Sequence, residues 1–362
     1  MLRTKTWRSS SLRLLDNRDR DEAIELCDRD PVVNVFISSR VREAGLDPSR
    51  LGGQIWGYQP GGRLVSLCYA GANLVPVAGT PDAITAFAGR ARLLGRRCSS
   101  IVGPAADVLG LWELLRPYWG RPREIRATQP VMAISGPPQV EPDPLVRRVR
   151  PDELGILLPA SVAMFTEEVG VSPVGPDGGG AYRARVNELI GMGRAFARIE
   201  DGQVVFKAEI GSITPLACQV QGVWVRPDLR GRGLAAAGMA AVVTEALHNV
   251  APVVSLYVND FNAPARAASA ARARVVSPLP RRITSGMSPG RRTSSVAAWR
   301  SAERTSCSAP GSSPAAATAG AMTWSNRASA DRSAAPPVRS TPALRDFSSW
   351  EATSTVTFGR AS

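Results

Sequence analysis

The stretch Val223-Trp-Val-Arg-Pro-Asp-Leu-Arg-Gly-Arg-Gly-Leu-Ala235 decides the fold of this chain. It predicts a strand that ends at Val225, a turn that begins at Pro227, and an alanine-rich helix directly after Arg230-Gly-Arg-Gly233. Glycine lets backbone amides approach a ligand closely, and the first turn of a helix leaves amides unpaired at the positive end of its dipole. The turn is therefore typical of a binding site for a pyrophosphate group.

Arg230 and Arg232 add two guanidinium groups to this turn, and such groups form charge-assisted hydrogen bonds to phosphate oxygens. The spacing matches neither the G-x-G-x-x-G pattern of dinucleotide-binding turns nor the G-x-x-x-x-G-K-[ST] pattern of nucleoside triphosphatases. We therefore expect a pyrophosphate ligand of another class. In a chain this rich in arginine, the alternative is a solvated surface turn.

The turn resembles the acetyl-CoA loop of the GNAT acetyltransferase superfamily, whose pattern [Q/R]-x-x-G-x-[G/A] is met by Arg230, Gly233 and Ala235. The preceding Val223-x-Val225-x-Pro227 is similar to the end of the family's fourth strand. Further along, Leu256-x-Val258-x-x-x-Asn262-x-x-Ala265 resembles its fifth strand and the start of the next helix.

This resemblance implies that the chain binds acetyl-CoA as a co-substrate, needs no metal ion, and acetylates an amine by direct attack on the thioester. The backbone amides of Val223–Val225 would polarise the acetyl carbonyl, as the family's splayed fourth strand does. The residues that the resemblance assigns to the cofactor are Val223, Trp224, Val225, Arg230, Gly231, Arg232, Gly233, Leu234, Ala235 and Asn262. The acceptor, a small-molecule or peptide amine, stays open, and so does the oligomeric state.

An alkyl amine has a pKa of about 10, so most of it is protonated at neutral pH and a base must remove a proton before attack. Glu209, on a predicted strand, and Glu167 and Glu168, after Met164-Phe165, are the candidate catalytic carboxylates. For each of them the alternative is a solvated position at the surface.

The family pattern fails at residue 269, where the composition also changes. Residues 269–362 contain 19 Ser, 19 Ala, 13 Arg and 8 Pro among 94 positions, and no helix or strand period survives there. Such a segment cannot bury enough apolar surface to offset its chain entropy, so we expect a disordered tail. Our interpretation is a reading frame shifted near residue 268.

By the same resemblance, a tyrosine four residues after Ala265 donates a proton to the departing CoA thiolate, but this position is Ser269. The Gly-Phe pair and the two closing strands that family members carry next are also missing. We therefore expect an enzyme that is impaired by the loss of its last helix and strands.

The net charge of +13 invites a nucleic-acid interpretation, but its distribution argues against one. Residues 269–362 hold 13 arginines against 4 acidic residues, so most of the charge lies in the tail, where the arginines are dispersed. Only Lys5 and Lys207 are lysines, and the other 42 basic residues are arginine, which is typical of GC-rich coding. We do not expect a nucleic-acid partner, although a basic arm remains the alternative.

The 362 residues, 44% of them apolar, are enough for two domains with separate cores. Element order repeats in the two halves, which indicates tandem GNAT-like domains with mixed, mostly antiparallel sheets flanked by helices, an α/β fold. The predicted ranges are 1–138, 145–268 and the tail at 269–362. A shared element order that arose by chance is the alternative.

The first half has Val77-Ala-Gly-Thr-Pro-Asp82 at the equivalent turn, without the arginine and the paired glycines. Asp82 would place a carboxylate where phosphates should lie. We interpret this half as a degenerate domain that packs against the second domain or shapes its acceptor site. Asn34-Val-Phe36 and the segment 164–173 are similar to two-domain proteins of actinobacteria.

The sequence also excludes several classes of protein. No apolar run reaches the ~20 residues that cross a bilayer, and no cleaved leader is recognisable, so we expect a cytoplasmic protein without a membrane partner. The five cysteines are scattered and His248 is the only histidine, so neither a disulfide framework nor a metal site is expected. A non-catalytic acyl-CoA-binding or sensing module remains the alternative function.

Overall fold

The structure, a computed structural model, describes residues 11–174, 178–259 and 353–357. Its helices are α1 (Arg20–Asp28), α2 (Val35–Ala44), α3 (Pro48–Leu51), α4 (Pro81–Leu94), α5 (Ala105–Trp119), α6 (Leu154–Val169), α7 (Gly180–Gly191) and α8 (Leu234–Asn249). Its strands are β1 (Leu12–Leu14), β2 (Gly53–Tyr58), β3 (Ser66–Gly71), β4 (Asn73–Val77), β5 (Ser100–Pro104), β6 (Glu124–Gln129), β7 (Val131–Ile134), β8 (Arg147–Arg148), β9 (Ala195–Glu200), β10 (Gln203–Ile213), β11 (Cys218–Val225), β12 (Val254–Tyr257) and β13 (Thr353–Thr357).

Two mixed sheets organise these elements. The first has the order β1-β2-β3-β4-β5-β13-β6, and the second has the order β7-β12-β11-β10-β9-β8. In each sheet four consecutive strands pair antiparallel, and the fifth then runs parallel to the fourth: β5 beside β4, and β12 beside β11. The repeated element order predicted from the sequence is thus a repeated sheet topology.

Helices cover both faces of each sheet in the same arrangement. In the first sheet, α1 and α2 pack on one face while α4 and α5 pack on the other. In the second, α6 and α7 pack on one face while α8 packs on the other. A fifth apolar cluster, formed around Val32, Val35, Val131 and Ala217, joins the two halves.

One strand of each sheet comes from outside the part of the chain that forms the rest of that sheet. β7 follows β6 after Pro130 only, yet it leaves the first sheet and pairs antiparallel with β12 of the second. The corresponding position in the first sheet, between β5 and β6, is filled by β13 from near the end of the chain. The second sheet therefore contains a strand from the predicted first half, and the first sheet contains a strand from the segment that was predicted to be a tail.

Local sequence explains why several elements begin and end where they do. Thr80 caps α4 through its side-chain oxygen, which accepts from the amide of Ala83, and Pro81 opens the helix. Asp201 and Gly202, both with positive φ, make the tight turn between β9 and β10. His248 lies in the last turn of α8, where the helix dipole favours it.

The structure differs from the sequence predictions in three places. Residues 353–357, inside the segment expected to be disordered, form a strand, and the rest of 269–362 lies outside the described residues. β7, assigned by sequence to the first half, belongs to the second sheet. β6 was not predicted, because its side chains alternate between charged and apolar too weakly to stand out. Among the described residues, no helix is long and apolar enough to span a bilayer.

Val356 tests the strand exchange, because its side chain is fully buried in the core between the first sheet, α4 and α5. We expect Val356→Asp to lower the free energy of unfolding by more than about 3 kcal/mol, since it buries an unpaired carboxylate. Chemical denaturation measures this. Val171→Asp, at an exposed valine, is the matched control and should change stability by less than about 0.5 kcal/mol. Equal stability of the two variants would contradict the seating of β13.

Candidate active site

An exposed loop, Arg230–Gly233, connects β11 to α8 on the second sheet. Gly231 and Gly233 have φ angles of +78° and +79°, which only glycine adopts without strain. Gly233 stands directly before the first residue of α8. The sequence-predicted order of strand, turn and helix is therefore present, and two glycines are required by the backbone.

The amides of this loop are open. The amide of Arg230 donates to the oxygen of Pro227 at 3.3 Å, but those of Gly231 to Ala235 donate to no acceptor in the described ranges. They lie at the start of a helix of 16 residues, where the dipole is positive. Such an arrangement favours an anion with several oxygen acceptors.

The strands that lead to this loop are splayed. β11 and β12 pair only at Cys218 with Val254 and at Gln219 with Ser255. Beyond these pairs β11 continues to Val225 without a partner on that side among the described residues. The second half of β11 therefore has no strand partner on this side in the described part of the chain.

A β-bulge in β11 accompanies the splay. Lys207 pairs with Trp224 and Glu209 pairs with Gln221, so β11 has one residue more than β10 in this interval. Gly222 takes up the distortion with a φ of +60°. The bulge re-aims the backbone at Val223, which is exposed, whereas Trp224 and Val225 are buried.

Glu209 lies against this bulge on the face covered by α6 and α7. Its side chain is largely buried, and its two oxygens accept from Gln221 Nε2 at 3.2 Å and from Lys207 Nζ at 3.3 Å. A Cβ atom added to Gly222 would come within 2.9 Å of the Glu209 carboxyl carbon. Of the three carboxylates proposed from the sequence, Glu209 is the one that contacts the bulge.

Glu167 lies at the end of α6 and contacts the loop region. Its carboxylate accepts from Trp224 Nε1 at 3.1 Å and from Arg230 at 2.7 Å. Arg230 also donates through Nε to the oxygen of Val225 at 3.0 Å. Glu167 therefore helps to orient one of the two guanidinium groups expected to bind phosphate.

Glu168 points to the first domain. Its carboxylate accepts from Arg126 at 2.8 Å and from Asn259 Nδ2 at 3.1 Å. Arg126 also donates to the backbone oxygen of Glu168, and Arg123 donates to that of Val169. Two arginines from the first half thus satisfy carbonyl groups at the C-terminus of α6, where positive charge is favourable.

The remaining predicted cofactor residues are placed unequally. Arg232 is exposed, and its guanidinium lies 3.4 Å from the oxygen of Asp228. Asn262 lies outside the described residues. Sequence reasoning missed Lys207, Gln221 and Gly222; the rarity of lysine in this chain was the available signal for the first of them.

Tyr182 of α7 lies near Glu209 on the same face of the sheet. Its hydroxyl donates to the backbone oxygen of Ser161 at 2.8 Å. Burial raises the pKa of Tyr182, and the negative charge of Glu209 raises it further. The phenol is therefore a neutral hydrogen-bond donor at physiological pH.

The equivalent turn in the first domain is already filled. The amide of Gly79 donates to the Asp107 carboxylate at 3.0 Å, and a Cβ atom on Gly79 would lie 2.4 Å from it. Asp82, which the sequence placed at the phosphate position, is exposed in the first turn of α4. An acidic side chain does lie at this turn, but the one that binds the amide is Asp107.

No candidate metal centre is present: the described residues contain no group of three or more His, Cys, Asp or Glu side chains arranged to hold a metal ion.

Two segments of the chain match models of known protein families. Residues 171–269 match the Acetyltransferase (GNAT) family, and residues 53–157 match a domain of unknown function (DUF4081). A comparison with curated proteins gave no match. The later segment is therefore similar to GNAT acetyltransferases, and the earlier one is similar to a domain of unknown function.

Solved structures resemble this fold over most of the chain. A Drosophila protein is similar with 14% identity and a TM-score of 0.50, over 72% of this chain and 93% of its own. A GNAT acetyltransferase from Colwellia psychrerythraea has 11% identity and a TM-score of 0.42, over 72% of this chain and 94% of its own. A tandem GNAT protein from the clavulanic acid biosynthesis pathway has 16% identity and a TM-score of 0.43, over 72% of this chain and 93% of its own. At these identities the likeness concerns the fold.

The contact between Arg126 and Glu168 should couple the domains measurably. In a double-mutant cycle of Arg126→Ala and Glu168→Ala, we expect a coupling free energy of about 1 kcal/mol, because Arg126 is mostly buried and contacts both the carboxylate and a carbonyl. The exposed pair of Arg116 and Glu113 is the control and should give less than about 0.5 kcal/mol. Unfolding in urea measures both cycles, and equal couplings would contradict a specific domain contact.

Proposed function

We propose that the second domain transfers the acetyl group of acetyl-CoA to the nitrogen of an amine. The observation that carries this proposal is the row of open amides from Gly231 to Ala235, at the mouth of the gap between β11 and β12. A diphosphate offers the several oxygen acceptors that these amides need. The match of residues 171–269 to the GNAT family supports the same ligand.

In this proposal the arginines of the loop assist the amides. Arg230 and Arg232 are both exposed and can each donate to a phosphate oxygen. Arg230 is held by Glu167 and by the oxygen of Val225, so its guanidinium is oriented before the ligand arrives. A preoriented side chain loses less conformational entropy on binding.

The acetyl end of the ligand would lie at the bulge in β11. Backbone amides around Val223–Val225 are proposed to donate to the acetyl carbonyl oxygen, which gains negative charge as the amine attacks. The bulge at Gly222 supports this role, because it turns the backbone away from regular pairing with β10. The pantetheine arm would occupy the gap between the splayed strands.

Glu209 is the proposed general base. A protonated amine loses two protons on the way to the amide, and the first passes to the Glu209 carboxylate, directly or through a water molecule, before attack. The nitrogen–carbon bond then forms while the carbon–sulfur bond breaks, and the second proton passes from the nitrogen through water to the departing thiolate of coenzyme A. Glu209 lies beside Gly222 in the bulge, whereas Glu167 contacts Arg230 of the loop and Glu168 contacts Arg126 of the first half; this placement supports Glu209 as the base.

The first domain is proposed to have no cofactor site of its own. Asp107 occupies the amide of Gly79, and its charge would repel a diphosphate. Its contribution is proposed to be structural, through the strand exchange and the contacts of Arg123 and Arg126 with the end of α6.

We also propose that the reading frame shifts near residue 268, which leaves the chain without the proton-donating tyrosine and reduces its turnover. The support is that the family pattern and the composition change at the same residue, Ser269. Translating the other two frames of the gene beyond codon 268 tests this. A tyrosine, a Gly-Phe pair and two apolar strands should reappear, and sequence without them in both frames would contradict the proposal.

Arg230→Ala should weaken coenzyme A binding about 10-fold or more, because it removes a charge-assisted hydrogen bond to a phosphate. Isothermal titration calorimetry measures the Kd. Arg226→Ala is the matched control: Arg226 lies four residues earlier, pairs with Asp228 and Gln203, and should leave the Kd unchanged. Equal affinities of the two variants would contradict a phosphate seat at this loop.

Glu209→Gln should lower kcat by about 100-fold or more, since the amide cannot accept the proton, while coenzyme A affinity stays the same. Release of the CoA thiol with a panel of amines, namely peptides, lysine, polyamines and aminoglycosides, measures turnover and identifies the acceptor class. Glu245→Gln on the surface of α8 is the control. Binding of coenzyme A by the wild-type protein without any turnover would instead favour a non-catalytic sensing module.

A further inference from the structure

Lys207 is a buried cation with no role of its own in the proposed reaction. Its side chain is 1% exposed and lies in the middle of β10, in the second sheet. The chain contains 42 arginines and only two lysines, so arginine is its ordinary cation. A lysine at a fully buried position therefore requires a local physical reason.

The ion pair with Glu209 supplies that reason. Lys207 and Glu209 are two residues apart on one strand, so their side chains project on the same face of the sheet. Lys207 Nζ lies 3.3 Å from Glu209 Oε2, and Gln221 holds the other carboxylate oxygen from the neighbouring strand. Both oxygens of the Glu209 carboxylate thus accept hydrogen bonds next to the bulge at Gly222.

The chemistry of the two cations explains why lysine suits this place. An ammonium group is a compact charge on a flexible stem, whereas a guanidinium is a planar fork that needs more room and more acceptors. Removing either member of a buried ion pair leaves an uncompensated charge, so each member constrains the other.

We propose that Lys207 is a positioning residue for the transferase reaction: it holds the Glu209 carboxylate in place beside the bulge in β11. This inference rests on the proposed function and deepens it. Lys207 acts through Glu209 and does not itself touch the substrate.

The test compares Lys207→Met, Glu209→Gln and the double variant in thiol-release assays. Lys207→Met should lower kcat about 10- to 100-fold, because a displaced base loses its alignment, while the Kd for coenzyme A stays within about twofold. The double variant should be no slower than Glu209→Gln alone, because Lys207 acts only through that carboxylate. Losses that multiply in the double variant, or full activity of Lys207→Met, would overturn the proposal.

Two further variants keep the test decisive. Lys207→Gln keeps a hydrogen-bond donor on a side chain that fits the site and should recover part of the kcat lost in Lys207→Met; equal kcat values of the two variants would overturn a role for this contact. If Lys207→Met does not fold, as judged by coenzyme A binding, Lys207→Leu replaces it in the same cycle.

The failure of this inference can be told from failure of the proposed function. If Glu209→Gln turns over as fast as wild type, Glu209 is not the base, and the inference falls with it. If Glu209→Gln loses activity but Lys207→Met does not, the proposed function stands and the inference alone is overturned.

Discussion

The site depends on one irregularity of the backbone, the extra residue that Gly222 introduces into β11 opposite β10. On its other side β11 pairs with β12 only at Cys218 and Gln219. The bulge exposes Val223, brings Glu209 against the backbone, and directs the strand into the loop that opens α8. A positive φ at Gly222 makes glycine necessary there, because a side chain would be strained and would also collide with the carboxyl group of Glu209. The proposed cofactor site and the candidate base therefore both lie next to this one distortion.

The first domain contacts the second sheet and the end of α6, next to this site. Its strand β7 forms the edge of the second sheet next to β12, so one border of the splayed region belongs to the first half of the chain. Its arginines also satisfy the carbonyl groups at the end of α6, the helix that carries Glu167 toward Arg230. The turn that corresponds to the cofactor loop has meanwhile been filled by Asp107. The two sheets thus share a topology, but the amide of Gly79 in the first is already bound by a carboxylate.

Much of this could be predicted from the sequence, because strong local signals decide most of the elements. The loop from Arg230 to Ala235, the helix Pro81–Leu94 and the turn at Asp201-Gly202 each carry glycine or proline at a position that the backbone requires. The strand exchange could not be predicted, since β7 and β13 pair with partners more than 100 residues away and no local property of Val131–Ile134 selects one sheet over the other. The roles of Glu167, Glu168 and Glu209 could not be separated either, because which side chain meets the bulge depends on register and packing.

Amide hydrogen exchange with and without coenzyme A shows whether the backbone amides of the loop bind this ligand, because it measures those amides themselves. We expect slower exchange at Gly231–Ala235 and at Val223–Val225 when coenzyme A is bound, and no change at the turn of the first domain from Ala78 to Asp82. Protection at that first turn, or binding that leaves the amides of the loop unchanged, would contradict the assignment of the cofactor site.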